Sequence, residues 1–89
     1  MNRQEQLIGQ IQSINDRMLG FATNSERAAR TYEAHMILYR VATSADDKAG
    51  IERERDTLHT LLDVILDSGV HVAQCEREIA VLFKELSAQ

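Results

Sequence analysis

The chain has no proline and no tryptophan. Proline removes a backbone donor and clashes with the preceding helical turn, so nothing of that kind interrupts long helices here. Average usage of about 5% would have placed roughly four prolines in a chain of this length. Aromatic residues are confined to Phe21, Tyr32, Tyr39 and Phe83. The core must therefore come from Leu, Ile, Val, Met and Ala, as it does in helical bundles and coiled coils. A single cysteine, Cys75, excludes an internal disulfide, so the fold needs no oxidising compartment. No apolar run approaches the roughly 18 residues of a transmembrane helix. The polar opening Met1-Asn2-Arg3-Gln4-Glu5-Gln6 leads into no signal-peptide core. These absences together imply a cytoplasmic protein without a membrane partner.

What is present fits one small folded domain, residues 1–89. Hydrophobic content of 44% with 27% charge is ordinary for a globular chain and argues against disorder. A domain this short buries only about 60–65% of the surface its unfolded chain exposes, so sharing apolar surface with a second copy or a partner would help it. The net charge of −4 is unevenly placed. Residues 1–45 carry five basic against four acidic side chains, whereas residues 46–89 carry five against ten. Nucleic-acid binding needs a basic stripe, so no nucleic acid is expected. The acidic half forms a solvated surface or a docking face for a basic partner.

Apolar residues fall at Leu58, Leu61, Leu62, Ile65 and Leu66, the template of an amphipathic helix facing a core. Upstream, Leu7, Ile11, Ile14, Met18 and Phe21 keep alternating steps of four and three, a heptad seam. Gly20 then precedes Thr23-Asn24-Ser25-Glu26, whose first and last residues form a capping-box pattern. Ala28, Ala29, Tyr32, Met36 and Tyr39 continue on one face until Thr43-Ser44-Ala45-Asp46-Asp47, where Ser44 can cap the next helix with both aspartates in its first turn. Asp67-Ser68-Gly69 reads as another stop. Beyond it, Val72, Cys75, Ile79, Leu82 and Leu86 keep the heptad phase. The expected fold is all-α, with helices about 3–19, 24–42, 45–67 and 70–87 in coiled-coil-like packing. Two arrangements fit: a helical hairpin interrupted at Gly20 and Gly69, or a bundle of four short helices.

The segment Met36-Ile37-Leu38-Tyr39-Arg40-Val41 is apolar nearly all round, as half of an interface would be. It is the candidate partner or oligomer surface, with Arg40 as a salt-bridge anchor. His71 and Cys75, four residues apart, share a helix face and form a weak candidate pair for zinc or copper. Cys75 lies on the apolar seam, where a free cysteine acts as a small hydrophobe, so no metal and no cofactor is expected. There is no phosphate loop, no HExxH and no Ser/His/Asp set.

Ile51-Glu52-Arg53-Glu54-Arg55-Asp56-Thr57-Leu58 resembles the Arg-Glu-bearing second helix of the all-helical chorismate mutases, small dimeric isomerases. The seam Leu7–Phe21 and the closing Ile79, Leu82 and Phe83 are similar to that family as well. The resemblance implies that Arg53 would hold a substrate carboxylate or ring ether, and Glu54 the substrate hydroxyl. Ile8 stands where the family opens its first helix with an arginine. The primary expectation is a non-enzymatic protein-interaction module: an adaptor, regulator, chaperone or inhibitor that self-associates or binds a protein through an apolar helix face. The chorismate-mutase-like isomerase is the alternative.

Overall fold

The computed structural model describes residues 2–89 as two long antiparallel helices and no strand among them. Helix α1 spans Arg3–Ser44 and helix α2 spans Lys48–Ser87. They pack along their whole length into a hairpin measuring 65 × 15 × 13 Å. Asn2 opens α1, its side chain accepting from the Glu5 amide at 2.8 Å.

The expected breaks at Gly20 and Gly69 do not occur: helices 3–19 and 24–42 are one helix, and so are 45–67 and 70–87. A hairpin is therefore formed, not four short helices. The physical reason lies in the capping signals. Thr23 does not cap a new helix; its hydroxyl donates to the Leu19 carbonyl one turn back, at 2.9 Å, so the helix continues through it. Neither glycine takes a left-handed conformation, and the heptad phase runs unbroken past both.

The seam is strictly periodic. On α1 it comprises Leu7, Ile11, Ile14, Met18, Phe21, Ser25, Ala28, Tyr32, His35, Tyr39 and Ala42, all buried or half-buried. On α2 it comprises Ile51, Glu54, Leu58, Leu61, Ile65, Ser68, Val72, Cys75, Ile79, Leu82 and Leu86, equally covered. Spacing of 3.5 residues over ten steps on each helix keeps one stripe of α1 against one stripe of α2 along the hairpin. Two levels fix its register: Phe21 stacks on His71 with ring centroids 4.4 Å apart, and His35 meets Glu54.

The reversal is tighter than the sequence suggests. Ser44 ends α1 instead of capping α2. The Asp46 amide donates to Thr43 O and the Asp47 amide to Ala42 O, a paired closure of the last carbonyls that places the residue before Asp47 in the left-handed region. Asp46 has φ of 52° accordingly. Asp47 then caps α2, accepting from the Gly50 amide at 3.1 Å. Gly50 is buried where the helices converge; a Cβ there would strike the Asp47 carboxylate and lie 3.2 Å from Ala42 Cβ. Glycine fits that close approach without displacing either neighbour.

Candidate functional site

A two-stranded seam covers one stripe of each helix and leaves the flanks to solvent, so the informative residues are large apolar side chains outside the seam. Helical geometry sorts them by flank, because positions three and four apart share a face.

One flank is tied across the helices by ion pairs, with Leu38, Val64 and Val81 exposed among them. Arg3 donates to Glu85 Oε1 from Nε at 3.1 Å and from Nη2 at 2.5 Å. Arg17 reaches Glu78 at 3.2 Å on the same side. All four side chains are well exposed, so these pairs orient more than they stabilise.

The opposite flank is richer in apolar residues, interrupted by Asn15, Arg55 and Glu76. It carries Ile8, Leu19, Ala22, Ala29 and Met36 on α1, and Leu62, Leu66, Gly69, Ala73, Ala80 and Phe83 on α2. A shallow groove lined by Ala29, Tyr32, Leu62 and Ile65, with Glu26 and Glu33 at its rim, confirms that both helices contribute to this face. Leu66 keeps 67% of its surface exposed. The five apolar residues between Leu58 and Leu66 are thus divided. Leu58, Leu61 and Ile65 face α1, while Leu62 and Leu66 face outward.

The candidate interface Met36–Val41 divides as well. Met36 and Tyr39 are half-buried against α2. Ile37, Leu38 and Val41 are exposed at 64%, 49% and 61%, next to the turn. Ile37, Arg40 and Val41 line an open notch together with Ser44 and Ala45. Arg40 makes no ion pair among the described residues, so its charge is available within an apolar surround.

Arg53 and Glu54, the pair singled out by the isomerase resemblance, differ sharply in burial. The Arg53 side chain is 68% exposed, whereas Glu54 is turned into the seam. Glu54 accepts from His35 Nδ1 at 2.5 Å, and its other oxygen lies 3.6 Å from Arg53 Nε. The carboxylate thus serves the helix–helix contact.

His71 is engaged by the Phe21 ring and by Asp67, 3.6 Å from its Nε2. Cys75 is buried in the seam. Among the described residues, no three His, Cys, Asp or Glu side chains gather as metal ligands, and no helix is long and apolar enough to cross a membrane. His35 as partner of Glu54 and Gly50 at the crossing were not singled out from the sequence. A histidine and a glutamate at consistent seam positions of opposing heptads would have been the signal. No protein-family model, curated protein or solved structure matches the chain.

Proposed function

We propose that this hairpin is a non-catalytic protein-interaction module, an adaptor, regulator, chaperone or inhibitor, that receives an apolar segment of a protein partner on the turn-proximal surface of α1. The supporting observation is the exposure of Ile37, Leu38 and Val41 around Arg40, which forms no ion pair among the described residues. Exposed apolar patches framed by charge are favoured docking sites, and Arg40 selects a partner segment bearing a carboxylate among apolar side chains. A helix laid into the notch would bury these residues as anchors.

The test compares the wild type with the Ile37→Glu/Leu38→Glu variant, each immobilised in lysate of the source organism. A retained protein is identified, purified and titrated. The expected result is a partner held by the wild type and weakened about 100-fold by the double substitution, the scale of losing two central anchors. Equal retention by both forms, or nothing retained above background by the wild type, refutes the reading.

A further inference from the structure

The apolar stretch of this flank, centred on Leu62 and Leu66, is separate from the turn-proximal patch. We propose that it is covered by a second copy of this chain, packed face to face with its ends reversed, so that two hairpins complete a four-helix bundle.

A compact monomer of 10.1 kDa exposes about 5,300 Å² by the usual size scaling. This hairpin exposes 6485 Å². The surplus of roughly 1,200 Å² reflects its rod shape, and stable interfaces cover about 800 Å² on each partner. One flank of a 65 × 15 × 13 Å rod offers roughly that footprint. The width of the apolar stripe agrees: a helix packing against one neighbour needs a narrow seam, whereas a broader stripe marks a helix with neighbours on two sides. The residues from Leu58 to Leu66 show the broader stripe.

Shape complementarity then selects the reversed arrangement. A two-fold axis across the middle of the rod stacks α1 on its copy and α2 on its copy, with residues equidistant from each helix centre meeting. Leu62 falls level with the second copy's Ala73 and Leu66 with its Gly69. At these two central levels of α2 large side chains meet small ones, as interdigitating cores require. Gly69 has open space around it within one hairpin, and in the dimer that space receives a leucine. Were the copies aligned the same way, Gly69 would face Ala22 and Leu66 would approach Glu26.

Charge follows the same symmetry. Reversal brings Arg55 within a turn of the second copy's Glu76 and sets Glu52 beside its Lys84. Each pair occurs twice. The ion pairs of the opposite flank stay outside the contact.

Sedimentation equilibrium on the full chain tests this. The wild type should behave as a dimer of about 20 kDa at micromolar concentration, twice the chain mass. Leu66→Glu, at a position already solvent-exposed in the hairpin, should keep its helical circular dichroism and weaken the dimer about 100-fold. Arg55→Glu should weaken it about tenfold, and adding Glu76→Arg in the same chain should restore it, because only the reversed stacking joins those positions. A monomeric wild type, a dimer indifferent to Leu66→Glu, or a failure of the charge swap to restore association would each overturn the proposal. Ile37→Glu/Leu38→Glu should leave the dimer intact, so loss of partner capture and loss of dimerisation are read separately.

Discussion

His35 and Glu54 allow the hairpin's internal energetics to be tested most directly. Glu54 occupies a seam position, and its side chain keeps 7% of its accessible surface. Its principal partner is the His35 imidazole at 2.5 Å; Arg53 sits farther off and mostly in water. Removing one member of a fully buried pair costs about 3–5 kcal/mol, because the other is left desolvated and unpaired. The His35 ring retains 29% exposure, so water reaches the vacated site and the cost for His35→Ala falls to about 2–3 kcal/mol. For a domain of this size, that lowers the melting temperature by about 10–20 °C. Replacing both residues, His35→Leu with Glu54→Leu, removes the desolvated carboxylate and extends the apolar seam. It should be neutral or stabilising by up to about 3 kcal/mol.

The assay is urea denaturation followed by helical circular dichroism, at one fixed protein concentration so that association does not shift the midpoint. Two results refute the reasoning. One is a His35→Ala variant within about 1 kcal/mol of the wild type. The other is a double-leucine variant as unstable as the single alanine.

The glycines and the turn give two further expectations on the same assay. Gly20→Ala should stabilise by about 0.5–1 kcal/mol, since the site is helical and a Cβ meets nothing within 4 Å. Gly50→Ala should instead destabilise by about 1–2 kcal/mol, because its Cβ displaces the Asp47 cap and presses on Ala42; equal effects at the two sites would contradict the close approach. Asp46→Gly should stabilise by about 0.5–1 kcal/mol by relieving the left-handed strain at φ of 52°, and a loss of stability would show that the aspartate side chain supports the turn.

The helical class, the two seams and the reversal near residue 45 are all legible in the sequence, because heptad spacing and polar punctuation are local signals. The continuity of each helix was not. Thr23 and Glu26 satisfy the pattern of a cap, yet the same hydroxyl can bond backward to Leu19, and only packing on both sides of Gly20 decides between the two uses. Ser44 and Asp47 pose a similar choice, settled by the left-handed Asp46. At Met36–Val41 the sequence showed more apolar surface than one face can hold. Which residues meet α2 depends on the phase in which Tyr39 enters the seam.

The distribution of polarity bears on what the hairpin is built for. Of the seam residues, Ser25, His35, Glu54 and Ser68 are polar, while eleven large apolar side chains, from Ile8 to Phe83, lie outside the seam. A hairpin whose stability had to come from its own two helices would hold the reverse pattern, because each large side chain moved from water to the interior contributes about 1.5–3 kcal/mol. Polar seam residues do something different: a seam of uniform leucines tolerates sliding by whole heptads, whereas a histidine at one level and a glutamate at the facing level pair in one register only. The seam thus gives up burial for a fixed alignment of α1 against α2. That alignment in turn holds Leu62 and Leu66 at set heights relative to Leu19 and Ala29, which an outer face needs if it is to match a rigid counterpart level by level.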